Sequence, residues 1–120
     1  MTKKENSKKY DLEDRTLEFA RRVVSFCKRL PKSVIDGEIC KQLVRSATSV
    51  GANYIEANEA LSKKDFSMRI KICRKEAKES GYWLKLIEVS ISALKNEQEK
   101  LLQESRELTR IFGAITIKSQ

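Results

Sequence analysis

Cationic side chains recur every seven residues along two stretches of the chain. Seven residues make nearly two turns of an α-helix, so these side chains share a face and lie about 10 Å apart along the axis. Such a row suits successive phosphates of a nucleic-acid backbone. The rows, named here the helix-one and helix-three ladders, are Arg15, Arg22 and Arg29, and Lys71, Lys78 and Lys85. They predict a nucleic-acid-binding surface, and the alternative is an ordinary solvated face.

The charge balance agrees with a nucleic-acid partner. The 120 residues include 25 Lys and Arg against 17 Asp and Glu, for a net charge of +8. The excess is regional, because residues 1–32 hold ten cations against five acids and residues 62–85 hold eight against three. A basic surface without a base-reading motif predicts weak, sequence-tolerant binding to RNA or DNA.

Residues that could carry out catalysis are scarce. Two Glu-x-x-Glu pairs, Glu56 with Glu59 and Glu76 with Glu79, invite comparison with di-metal helical bundles, but those sites also use histidine and this chain has none. No Gly-rich phosphate loop or nucleophile motif is visible. We therefore expect a protein that is not an enzyme and has no metal or cofactor. Asn53, Glu56 and Glu76 lie beside apolar seams and are expected to form an interhelical polar network.

The elements that would position these residues are helical. Four Gly, one Pro and 35% charged residues, without strand-like alternation, predict an all-α fold. Residues 1–9 are expected to form a flexible basic arm, and residues 10–120 a single domain. Helices are predicted at about 11–30, 38–60, 62–94 and 97–115, with Asp36 capping the second and Ser62, paired with Asp65, capping the third. Short connections predict an up-and-down antiparallel four-helix bundle.

The predicted third helix is apolar on two opposed faces. One stripe runs from Phe66 to Leu94 at alternating spacings of four and three residues, as expected for a core seam. Because the bundle can cover only one of these faces, we expect the second to lie in a subunit interface of a homo-oligomer. This second face comprises Met68, Ile72, Tyr82, Leu86 and Val89. Tyr82 and Trp83 are accordingly expected to pack between subunits, the alternative being stacking on bases.

Helices two and three should pair closely. An antiparallel turn near Ser62 sets Ala47 opposite Ala77 in a band of small residues. The same register predicts an ion pair between Arg45 and Glu79.

Cellular location follows from what the sequence lacks. No apolar run is long enough to span a bilayer and no signal-peptide pattern is present, so we expect a cytoplasmic protein with no membrane partner. The three cysteines, Cys27, Cys40 and Cys73, are then expected to be reduced core residues without a disulfide.

Several short motifs together resemble the bacterial four-helix-bundle proteins called 23S rRNA intervening-sequence proteins. They are Arg45-Ser46-Ala47, Gly51-Ala52-Asn53-Tyr54-Ile55-Glu56-Ala57, Ser62-Lys63-Lys64-Asp65-Phe66, Lys75-Glu76-Ala77 and Tyr82-Trp83-Leu84, with Leu30-Pro31 ending the first helix. The resemblance extends from about Phe19 to Ile91.

The resemblance also implies a form of assembly and a partner. The family includes accessory proteins of diversity-generating retroelements, which form basic pentameric rings and associate with a reverse transcriptase and nucleic acid. By this resemblance we expect a homopentamer in a ribonucleoprotein or retroelement context, with a reverse transcriptase as an analogous partner. The alternative is a structural scaffold oligomer that binds a protein partner without nucleic acid.

Overall fold

The computed structural model describes the backbone of residues 3–119 and the side chains of residues 12–119. Four helices account for nearly all of this chain. They are α1 (Lys3–Arg29), α2 (Val34–Asn58), α3 (Lys63–Leu86) and α4 (Ser92–Lys118). α3 packs against α2 and α4, and α1 packs against the same two helices, so α1 and α3 lie diagonally across the bundle. The predicted all-α four-helix fold is confirmed.

Apolar residues at helical spacing form the core. α1 contributes Phe19, Val23 and Phe26, α2 contributes Leu43, Val50 and Tyr54, and α3 contributes Ile70, Cys73 and Leu84. α4 completes the core with Leu101, Leu108 and Phe112. Tyr54 and Phe112 meet with ring centroids 5.8 Å apart, which links α2 to α4 across the centre. Side chains at helical spacing on all four helices therefore share one core.

α1 and α2 are longer than predicted. α1 begins at Lys3 instead of Asp11, so residues 3–9, which we expected to form a flexible arm, are helical. Lys and Glu are good helix formers and this segment contains no Gly or Pro. α2 begins at Val34 because the Ser33 hydroxyl caps it by accepting a hydrogen bond from the Asp36 amide at 3.0 Å. The predicted cap at Asp36 is therefore wrong.

The predicted helix from Ser62 to Leu94 is interrupted. Its start is correct, since the Ser62 hydroxyl accepts from the Asp65 amide at 3.1 Å. α3 ends at Leu86, however, and Ile87 is extended. Gln98 stabilises this end from α4, because its side-chain amide donates to the carbonyl oxygens of Leu84 at 2.8 Å and Ile87 at 2.6 Å.

The interruption changes the surroundings of residues that the continuous stripe placed on α3. Val89 lies in the α3–α4 connection and packs partly against the core, so its predicted placement on helix three is wrong. Ile91 directly precedes α4 and is half-exposed instead of buried in the seam. α4 begins at Ser92 and continues past Gly113 to Lys118.

No helix within the described part of the chain is long and apolar enough to cross a membrane.

Candidate nucleic-acid interface

Arg15 and Arg22, the first two residues of the helix-one ladder, form ion pairs with glutamates of α4. Arg15 donates to both carboxylate oxygens of Glu104, at 2.7 and 2.9 Å, and to Glu107 at 2.7 Å. Arg22 makes a two-pronged pair with Glu97 at 3.0 and 3.1 Å. Because Nε and Nη2 of both guanidinium groups already bind carboxylates, their charge is offset within the bundle and attracts a phosphate less.

The electrostatics of these pairs follow from the contacts. The hydrogen bonds that Arg15 donates to Glu104 are the main reason that the pKa of Arg15 is raised, and those that Arg22 donates to Glu97 do the same for the pKa of Arg22. The pKa of Glu107 is lowered, first by the hydrogen bond from Gln103 and then by that from Arg15. The favoured charge states are therefore those of ion pairs that join α1 to α4.

The helix-three ladder has a different environment. Lys71, Lys78 and Lys85 are all exposed on α3, and within the described side chains no carboxylate lies within 4.0 Å of their ammonium groups. Arg29, the last member of the helix-one ladder, is also exposed. The structure thus separates the six predicted phosphate ligands into four accessible cations and two that stabilise the bundle.

Two further cations, which the spacing argument missed, face the helix-three ladder. Arg106 and Arg110 on α4 line a groove of about 360 Å³ together with Lys78 and Lys85. Their separation by four residues on a helix was a signal that both project to one side. A search for cations seven residues apart does not find this pair. The candidate interface therefore extends across the α3–α4 boundary.

The predicted polar network lies between α2 and α3. Asn53 accepts a hydrogen bond from Arg69 at 3.0 Å, and buried Glu76 accepts one from Arg45 at 3.3 Å. Glu56 is exposed and makes no hydrogen bond to another helix within the described residues, so it does not join the network. Arg69, which provides the donor to Asn53, was not predicted from the sequence.

Contacts between α2 and α3 fix their register. Arg45 also pairs with Glu79, as predicted, and Glu79 accepts a second bond from the Trp83 indole at 3.0 Å. The Ser46 and Ser80 hydroxyls meet at 2.8 Å in the buried interface. The predicted antiparallel register of α2 and α3 is therefore confirmed, and the Glu-x-x-Glu pair of α3 is occupied by Arg45.

One outer face of α3 carries exposed apolar side chains. Met68, Tyr82 and Leu86 remain 49%, 57% and 45% exposed, and Ile72 is partly exposed. Trp83 is half-buried against the core and contacts Tyr82 edge-on, with ring centroids 5.0 Å apart. This set, the outer α3 face, is thus apolar and uncovered in the single chain.

The cysteines are free thiols. Cys73 is fully buried, and burial raises its pKa to about 12. Cys27 and Cys40 are half-buried on α1 and α2, and burial raises the pKa of Cys27 as well. At neutral pH Cys27 and Cys73 are therefore protonated core residues.

The fold and surface define a class: a basic, all-α four-helix bundle with a charged α3–α4 side. The model of the 23S rRNA-intervening sequence protein family matches residues 8–114, and the chain belongs to that family. It is 33% identical to a protein of unknown function from the S23 ribosomal protein family of Bacteroides thetaiotaomicron VPI-5482. The match to that crystal structure covers 88% of this chain and 97% of the other, with a TM-score of 0.74. No curated protein matches this chain.

Proposed function

We propose that this protein is a basic, oligomeric, non-enzymatic nucleic-acid-binding protein. The main support for nucleic-acid binding is the helix-three ladder. Its three lysines are exposed and have no carboxylate within 4.0 Å among the described side chains. A lysine row with this spacing can neutralise several phosphates and release their counterions. The retroelement or ribonucleoprotein context, with a reverse transcriptase as partner, is proposed by family analogy.

The outer α3 face supports the oligomeric part of the proposal. Tyr82 and Leu86 are large and about half-exposed, and they lie along one helix with Met68 and Ile72. Burying such a face against a second copy removes apolar area from water at roughly 25 cal/mol per Å². We propose a homopentamer, the number being taken from family resemblance.

Binding is tested by titrating labelled RNA and DNA with the full chain across a range of salt concentrations. Log affinity should fall linearly with log salt, and the triple variant Lys71→Gln/Lys78→Gln/Lys85→Gln should flatten that slope by about three. A charge-matched control is Arg21→Gln/Lys28→Gln/Lys32→Gln, which removes three exposed cations from α1 and its connection, away from α3. An absence of binding at low salt would favour the scaffold alternative. Equal losses in both variants would indicate a non-specific charge effect.

Assembly is tested by light scattering on the eluting protein. Leu86→Lys should dissociate the oligomer, because an unpaired charge would enter a desolvated contact. Leu61→Lys is the control, since Leu61 is 97% exposed in the α2–α3 connection and lies outside the outer α3 face. A wild-type mass of 13.8 kDa would contradict the proposed oligomer.

A further inference from the structure

A groove between α3 and α4 brings four cations together. Lys78 and Lys85 line it from α3, and Arg106 and Arg110 line it from α4. Its volume is about 360 Å³. Among the described side chains, no carboxylate lies within 4.0 Å of any of these four charges. This differs from the α1–α4 boundary, where the arginines are paired with glutamates.

Small residues between the two helices let the cations stand above the base of the groove. Gly81 has no side chain, and a Cβ at that position would lie 2.9 Å from the Ser105 hydroxyl oxygen. α3 and α4 therefore approach closely at this level. The four longer side chains then form the walls of the groove, and their charged ends are accessible from outside the bundle.

The geometry favours an extended ligand with several anionic groups. Lys78 and Lys85 are about 10 Å apart along α3, while Arg106 and Arg110 are about 6 Å apart along α4. A single phosphate cannot contact cations spread over this length. Guanidinium groups bind phosphate oxygens with two hydrogen bonds, whereas lysine acts as a point charge. The groove therefore suits consecutive phosphates of one strand.

We propose that the α3–α4 groove binds the phosphodiester backbone, holding consecutive phosphates of one nucleic-acid strand between the two lysines of α3 and the two arginines of α4. The proposal rests on the proposed nucleic-acid function and assigns it a place. It adds Arg106 and Arg110 to the site. Since no aromatic side chain lines the groove, contact is with the backbone and binding is independent of base sequence.

The test uses Arg106→Gln/Arg110→Gln in the full chain. These two arginines belong to the groove but not to the helix-three ladder, so the variant tests the groove separately. Binding of a labelled strand of about 20 nucleotides is measured by fluorescence anisotropy between roughly 50 and 200 mM salt. The variant should lose about tenfold or more in affinity at low salt, and its salt slope should fall by about two. Arg21→Gln/Lys28→Gln removes the same charge from exposed positions on α1 and should leave the slope unchanged.

The outcomes separate the groove from the wider function. If wild-type protein binds and the helix-three triple variant weakens binding, but Arg106→Gln/Arg110→Gln matches the control, the groove assignment is wrong and the nucleic-acid function survives. If wild-type protein does not bind, the nucleic-acid function itself fails.

Three further measurements define the ligand and check the fold. Arg106→Lys/Arg110→Lys should keep the salt slope but bind more weakly, because lysine cannot make the two-pronged contact. Inorganic pyrophosphate is the competitor that represents a compact anion. If pyrophosphate displaces the strand when both are present at equal phosphate concentration, the proposal of an extended strand is wrong. Circular dichroism of each variant checks that the bundle is intact, which we expect because both arginines are exposed.

Discussion

Gly81→Ala provides a sharp test of the close approach between α3 and α4. A Cβ at position 81 would lie 2.9 Å from the Ser105 hydroxyl oxygen, closer than normal side-chain contacts allow. Overpacking of this kind costs about 1–3 kcal/mol. Replacing glycine by alanine in a helix also gains about 1 kcal/mol of propensity. The net expectation is a destabilisation of about 1 kcal/mol, within a range of about 0–2 kcal/mol.

The Ser105→Ala background separates the two opposing effects. Without the hydroxyl, the nearest atoms to the new Cβ are at 3.6 Å on Leu102 and 3.8 Å on residue 105, which are ordinary contacts. Gly81→Ala should then stabilise the protein by up to about 1 kcal/mol. The double-mutant cycle should therefore give a coupling energy of about 1–3 kcal/mol.

Urea denaturation followed by circular dichroism, at a fixed protein concentration, measures these free energies of unfolding. Gly37→Ala is the control, because Gly37 lies in the first turns of α2 with no atom within 4 Å of its Cβ position. It should gain about 0.5–1 kcal/mol in either background. If Gly81→Ala behaves like Gly37→Ala in the wild-type protein, the inferred helix contact is wrong.

Three other predictions concern the core and its charges. Ala47→Leu should lower the free energy of unfolding by about 1–3 kcal/mol, because Ala47 is fully buried, and a neutral result in urea would mean that its face is misassigned. Arg15→Gln should raise the pKa of Glu107 towards 4.5, as measured by NMR titration, although the hydrogen bond from Gln103 remains; an unchanged pKa would contradict the ion pair. Because burial raises the pKa of Cys73 from 9.0 to about 12, its contribution to stability is complete below pH 9 and is lost as pH rises towards 12. The melting temperature should therefore fall as pH rises across that range, and it should fall less in Cys73→Ala.

The core could be predicted from sequence because burial repeats with the helical period. Phe19, Val23 and Phe26 in α1 and Leu101, Leu108 and Phe112 in α4 are all buried, and in each helix their spacing places them on one face. The Ser62 cap was equally predictable, since a serine before a helix binds an amide three residues ahead. Such signals depend on neighbours along the chain and need no knowledge of the fold.

The end of α3 was not predictable from the same stripe. Ile87 and Leu94 are both buried, so the apolar spacing continues although the helix stops between them. The carbonyls left free at the break bind the side chain of Gln98, which belongs to the next helix. Periodicity records which side chains are buried and contains no information about this long-range contact. The same error placed Val89 on helix three instead of in the α3–α4 connection.

The site was only half predictable for a related reason. Spacing identifies which cations share a helix face, and it correctly groups Lys71, Lys78 and Lys85 on an exposed face. Spacing does not identify which residues of another helix contact that face. Arg15 and Arg22 also share a face, but that face lies against the glutamates of α4. Only the packing of helices distant in sequence distinguishes an accessible ladder from one that stabilises the bundle.

α4 consequently determines on which side of the bundle its neighbours' charges remain accessible. Its side towards α1 carries Glu97, Glu104 and Glu107, which pair with the arginines of α1, while Arg106 and Arg110 line the groove with α3. The acids thus offset part of the positive excess of residues 1–32, and the arginines add to that of residues 62–85. Because a polyanion approaches along the stronger positive field, this arrangement favours contact through α3 and α4 over contact through α1.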